Sequence, residues 1–230
     1  MDLPYNIIKG GTVSVVALTL TYPLDIWKIN SQSAIKSSLN IKSFINGSIY
    51  RGFVKSALLT FPEKGIKLGI YKYIKNKQED STKFYAPAAI ISAACQSNFS
   101  APIDNIKISN LYKKPIVSYF SGLKFIYARD ILFNLTFFYN ADNKTFTNNT
   151  PINNLLSGSI ATSLVTPIDF IKTRYQEHFL NNTNNTNNLK FNFKKFIKET
   201  PVSSYYKGIF QRNMSISIFY SISYTLFNYF

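Results

Sequence analysis

No uninterrupted run of about 20 apolar residues, the length a bilayer core demands of a helix, stands out in this 230-residue chain. Apolar stretches nevertheless recur in a fixed order, and three of them end on a proline. Small or polar residues four apart sit inside each: Gly10 and Ser14, Ala89 and Ala93, Asn154 and Gly158. The first of each pair lies 13 residues before its proline. Each proline opens the same pattern, Pro-x-Asp-x-x-Lys: Pro23, Asp25 and Lys28; Pro102, Asp104 and Lys107; Pro167, Asp169 and Lys172. The offsets are 79 and 65 residues, and with nine prolines in the chain a threefold coincidence is not chance. A second landmark follows: Tyr50-Arg51-Gly52, Phe120-Ser121-Gly122 and Tyr206-Lys207-Gly208. After each glycine comes a mostly apolar, aromatic-rich stretch of about 20 residues, long enough to span a bilayer as a helix. The unit is helix, basic loop, helix, and a period repeated three times sets the architecture. The pattern predicts an all-α membrane protein with six transmembrane helices. Its repeats run over 1–83, 84–147 and 148–230 of a single domain.

The motif has a physical logic. Proline within a helix removes a backbone hydrogen bond and bends the chain, so Pro23, Pro102 and Pro167 are predicted kinks. Asp and Lys three apart then share one helix face. Small residues four apart let helices approach closely in a membrane.

Composition changes this picture little. The net charge is +15 and 46% of residues are hydrophobic, which implies an anionic partner: nucleic acid, anionic membrane or anionic solute. The single cysteine, Cys95, excludes an internal disulfide and a multi-cysteine zinc site, and the single histidine, His178, argues against a histidine-based centre. No Walker loop or dinucleotide glycine fingerprint occurs. No enzyme, cofactor or metal site is expected. The first 25 residues lack the pattern of a secretory signal. Loops on the side of the glycine landmarks carry 11 Lys/Arg, those on the other side 5. This bias fits a basic, matrix-facing side. Asn181 to Asn188 reads as a polar low-complexity loop, and Phe191 to Glu199 as a short amphipathic helix at the surface.

Taken together, the three Pro-x-Asp-x-x-Lys motifs and their aromatic-basic-Gly landmarks resemble the signature of the mitochondrial carrier family, over nearly the whole chain. Repeat three is the fullest match, with Arg174 and Gln176 in place; repeat one keeps Gln32 but has Asn30, and repeat two has Leu111 for the glutamine. The landmark-to-motif spacings of 29, 20 and 41 residues make it a short, divergent member. The resemblance implies three two-helix repeats around a central cavity and alternating access. It also implies a matrix gate of ion pairs, Asp25–Lys107, Asp104–Lys172 and Asp169–Lys28, braced by Gln32 and Gln176. At the opposite end the family's acidic positions hold Lys72, Asp142 and Asn228, with Lys75 at a basic position. Only Asp142 conforms, which predicts a weak cytoplasmic-side gate.

The family's solute contacts fall seven and eight residues after each landmark glycine. Here they are Leu59 and Thr60, Arg129 and Asp130, and Ser215 and Ile216. Arg129 is a functional candidate because an intramembrane guanidinium is costly unless used, although an Arg129–Asp130 structural pair would also account for it. Arg212, four after Gly208, is expected to face inward. Phe133 stands where adenine-nucleotide carriers place an aromatic, and Arg129 and Arg212 suit phosphates. The expected solute is therefore a small anionic metabolite, a nucleotide or deoxynucleotide first. An amino-acid-type solute and a degenerate, non-transporting carrier are the alternatives. A soluble nucleic-acid-binding protein has the weakest support, since no recognition element accompanies the charge. The resemblance also implies a monomer in the mitochondrial inner membrane, that of a host cell if the AT-rich residue usage is viral. Anionic lipid such as cardiolipin is expected at the helix starts near Gly52, Gly122 and Gly208.

Overall fold

The computed structural model describes residues 2–32, 53–77, 85–112, 118–181, 200–206 and 208–229, with positions 50, 193, 196 and 198 besides. Side chains at 26–32, 107–112, 177, 179–181 and 203 lie outside the description. Six long helices and no strand occur among the described residues: α1 Leu3–Gln32, α2 Phe53–Asn76, α3 Tyr85–Tyr112, α4 Leu123–Asp142, α5 Thr150–Asn181 and α6 Ile209–Tyr229. A single helical turn, Val202–Tyr205, precedes α6. Each long helix packs against its chain neighbours, and α6 returns to α1, so the six close a ring. The predicted helix pairs are all present. The three motif prolines lie inside α1, α3 and α5, and each helix continues through its proline.

The ring is inside-out relative to a soluble bundle. Ile8, Val16 and Leu20 of α1, Leu58 of α2 and Leu164 of α5 stand outward, Leu20 65% and Leu58 69% exposed. Polar side chains are buried instead: Asn6 and Ser14 of α1, Gln96 and Ser97 of α3, Asn134 of α4, Asn153 and Asn154 of α5, Ser215 and Ser223 of α6. Hydroxyls along α5 close onto their own helix, Ser157 onto the Asn153 carbonyl at 2.7 Å and Thr162 onto that of Gly158 at 2.7 Å. Such bonds satisfy the hydroxyls without water. An apolar exterior and a polar interior are what hydrocarbon solvent selects. The same pattern explains why mean hydropathy misses most spans. Among the described residues only Leu3–Asp25 is long and apolar enough by composition alone.

Glycine matters at two kinds of place. Where α1 crosses α2, a Cβ on Gly65 would lie 2.7 Å from the Ile7 carbonyl oxygen, so the backbones can touch only because the side chain is missing. At the landmarks, Gly122 and Gly208 both have φ of +77°, a left-handed turn that delivers the chain into α4 and α6. Gly52 lies outside the described residues.

At one end of the ring, Asp142 of α4 gathers three donors. Lys75 of α2 approaches at 2.5 Å, Tyr224 of α6 donates at 2.5 Å, and Tyr71 of α2 donates to the same carboxylate. Tyr71 stacks on Phe138 with ring centroids 3.6 Å apart, and Phe137, Phe138 and Tyr224 pack around them. Lys72 donates to Asn228 at 3.2 Å. The expectation of a weak gate at this end rested on the missing acidic residues, and the described contacts are of another kind. Two positions lacking the acidic residue bond to each other, and tyrosines supply the remaining donors to Asp142.

The loop expected at Asn181 to Asn188 lies almost wholly outside the described residues. Of the surface helix expected at Phe191 to Glu199, Phe193, Phe196 and Lys198 are helical. Phe193 meets Phe125, and Phe196 meets Phe170 and Tyr205, with centroids 6.2–6.3 Å apart.

Candidate functional site

At the proline-motif end, Asp104 of α3 meets Lys172 of α5 at 2.5 Å. This is the pairing the motif predicts between repeats two and three. The other two predicted pairs, Asp25–Lys107 and Asp169–Lys28, involve lysine side chains outside the description. What is described shows the aspartates engaged from the even helices. Asp25 accepts a hydrogen bond from Ser215 of α6. Asp169 takes Arg212 of α6 on one oxygen and Arg129 of α4, at 3.3 Å, on the other.

Arg129 is the hub. Its Nε donates to Asp130 at 2.8 Å, and one terminal nitrogen reaches both Asp104 at 3.4 Å and Asp169 at 3.3 Å. The Arg129–Asp130 pair is therefore real, and it is only part of what Arg129 holds. Asp130 also accepts from Ser97 at 2.9 Å and Ser100 at 3.4 Å, which fixes it against α3. Arg212 points inward as expected, is buried, and keeps a buried Nε–H with no hydrogen-bond partner among the described residues. A guanidinium shared among three carboxylates in a buried setting is stable only while those partners stay.

Gln176 does not reach the Asp104–Lys172 pair in its described hydrogen bonds. It donates to Asn105 at 3.2 Å and to the Ser121 carbonyl at 3.1 Å. Asn105 in turn donates to the carbonyls of Tyr119, at 2.9 Å, and Ser121, at 3.1 Å. The motif ends of α3 and α5 are thereby tied to the landmark turn at Gly122. Gln32 lies outside the described side chains.

A second cluster went unanticipated. On α2, Glu63 takes Lys64 at 2.7 Å and Gln96 of α3 at 3.1 Å. One turn on, Lys67 is buried; it donates to the Tyr220 hydroxyl at 2.9 Å and lies over the rings of Phe133, at 4.3 Å, and Tyr220, at 4.2 Å. Phe133 also packs on Phe137 and Tyr220, with centroids 5.8 and 4.8 Å away. Its ring, expected beside a nucleobase, is engaged by Lys67 in this structure. The signal for this cluster was in the sequence: Glu63, Lys64 and Lys67 place three charges within one spanning helix, where charge marks function. Counting positions from the landmark led instead to Leu59 and Thr60, one turn before Glu63 and Lys64. Among the described residues no group of acids, histidines and cysteines could hold a metal.

The chain matches the family model described as Mitochondrial carrier protein over residues 1–82 and 145–230. A Mus musculus protein named as a mitochondrial electrogenic aspartate/glutamate antiporter is 27% identical over 90% of this chain and 38% of its own length. A Homo sapiens protein of the same description is 28% identical over 89% of this chain and 37% of its own length. The chain thus spans well under half the length of these relatives. A Dictyostelium discoideum protein named as a mitochondrial substrate carrier family protein is 24% identical over 95% of this chain and 88% of its own length. The family-model match leaves out the middle repeat, where the glutamine and the basic landmark residue are replaced. With six helices in a closed ring, three proline motifs at one end and a polar interior, the chain belongs to the mitochondrial carrier family, whose members are multi-pass proteins of the mitochondrial inner membrane.

Proposed function

We propose that the protein exchanges a small anionic solute across the inner membrane by alternating access, and that the solute is of the acidic amino-acid class. One observation carries this reading: Arg129, on an even helix, holds Asp104 and Asp169, the motif carboxylates of two odd helices. An incoming carboxylate competes for the same guanidinium. Its binding releases the aspartates and so weakens the proline-motif gate, which links occupancy to opening. Arg212, whose Nε–H has no partner among the described residues, is a second donor to the solute. Asp25, Lys28, Asp104, Lys107, Asp169 and Lys172 form the matrix gate on this reading, and the Asp142 knot forms the opposite one. Each knot must open once per cycle, so neither is a permanent bond.

The acidic amino-acid class goes ahead of nucleotides for two reasons. Relatives are named as aspartate/glutamate antiporters. Phe133, the residue that favoured a base, is covered by Lys67 and Tyr220. Anionic lipid at the helix starts near Gly52, Gly122 and Gly208, and a monomeric state, complete the proposal. The test is counter-exchange in proteoliposomes preloaded with a panel of acidic amino acids, nucleotides, deoxynucleotides and keto acids. Saturable exchange of acidic amino acids is expected. Exchange of nucleotides alone would overturn the solute class, and no exchange by folded protein would leave a carrier fold that does not transport.

A further inference from the structure

Four cations described in the interior, Lys64, Arg129, Lys172 and Arg212, each have a carboxylate partner. Lys67 has none among the described residues. The residue is 1% exposed, and its ammonium meets one described hydroxyl, of Tyr220, and lies over the rings of Phe133, Tyr220 and, at 5.7 Å, Phe138. Three ring faces and a hydroxyl replace only part of an ammonium's hydration, and a buried charge without a counter-ion is destabilising. An ammonium has three N–H donors, and one described hydrogen bond leaves donor capacity over. Sequence offers no structural need for the charge, because methionine would fill the same aromatic cage without it.

Lys67 is also connected to the solute site. It shares Tyr220 with Lys64, whose Nζ lies 5.8 Å from the Tyr220 ring. Lys64 pairs with Glu63, Glu63 accepts from Gln96, and the next residue, Ser97, donates to Asp130, the partner of Arg129. The path crosses α2, α3, α4 and α6, the walls of one interior.

We propose that Lys67 is the seat of a second acidic group on the solute, so that the carrier selects solutes with two acidic groups over those with one. The proposal rests on the reading of Arg129 as the seat of the first. The aromatic cage holds the ammonium in position while no solute is bound, and the arriving carboxylate supplies the missing counter-charge. Lys67 thereby becomes a specificity-determining residue lying beyond the positions counted from the landmark glycine.

The test uses the full chain, purified in detergent, and reads the rise in unfolding midpoint caused by L-aspartate and by L-asparagine, its amide isostere with one acidic group fewer. The wild type is expected to bind aspartate about tenfold or more tightly than asparagine. Lys67→Met is expected to bring the two affinities together and to raise the midpoint of the solute-free protein. Lys67→Arg is expected to keep the preference. A lower solute-free midpoint with the preference intact would make Lys67 a structural strut and overturn the proposal. If Lys67→Met does not fold, Lys67→Gln is read in the same way. Failure of this proposal is separable from failure of the solute site: loss of both ligands in Arg129→Gln upholds the site even where Lys67→Met changes nothing. A wild type that responds to neither ligand overturns both.

Discussion

Lys172 and Arg129 meet the same oxygen of Asp104, Lys172 at 2.5 Å from α5 and Arg129 at 3.4 Å from α4. One carboxylate thus joins a residue of the proposed gate to a residue of the proposed solute site. Whatever draws Arg129 away leaves Lys172 still holding Asp104.

Lys172→Ala is expected to remove the lysine contact of Asp104 while the Arg129 contact remains. Removing one partner of a buried pair costs roughly 3–5 kcal/mol where nothing else compensates, and the remaining guanidinium should hold the loss to the lower part of that range. Thermal unfolding measures it. Restoring the pair in reversed order, Asp104→Lys with Lys172→Asp, should recover part of both stability and exchange; no recovery would deny the pairing a role in the cycle.

Arg129→Ala removes the common partner of Asp104, Asp130 and Asp169. Exchange should fall by about 100-fold or more, the size expected when charged binding groups are left unmatched. Initial uptake rates decide this, and a variant within twofold of wild type would take Arg129 out of the site.

Asp142→Asn should weaken the opposite end. The amide keeps the shape and loses the charge that Lys75, Tyr71 and Tyr224 address. Hydrogen bonds to charged groups contribute about 1.5–3 kcal/mol each, and the amide oxygen still accepts, so a net loss of about 2–3 kcal/mol is expected in thermal unfolding. An unchanged midpoint would mean that the knot is not a stabilising closure.

Gly65→Ala tests packing without touching the charges. The new methyl would lie 2.7 Å from the Ile7 carbonyl oxygen, and overpacking of this kind costs about 1–3 kcal/mol. The midpoint should fall while the order of preference among solutes stays the same. A changed preference would tie the α1–α2 contact to recognition.

Much of the fold was legible because its signals were repeated. Pro23, Pro102 and Pro167 and the three landmark glycines fixed six helices and their pairing, even though polar inward faces hid most spans from hydropathy. The Asp104–Lys172 pair was legible too, through the family resemblance that the repeated motif carries. The partners of Asp169 were less so. Arg129 and Arg212 sit on even helices, and only the three-dimensional closure of the ring brings them to an odd-helix carboxylate. The donors around Asp142 were not legible for a similar reason. A missing acid at positions 72 and 228 says nothing of Tyr71 and Tyr224, which supply donors from other positions on the same helices. Lys67 was hidden by counting from the landmark rather than asking which spanning residues carry charge.

The most direct test of the central claim is uptake of labelled aspartate into proteoliposomes loaded with aspartate or left empty, for wild type and Arg129→Gln side by side. The account predicts saturable uptake that requires internal solute in the wild type and is lost in the variant. Equal uptake by the two proteins, or none by wild type shown to be folded, would contradict it.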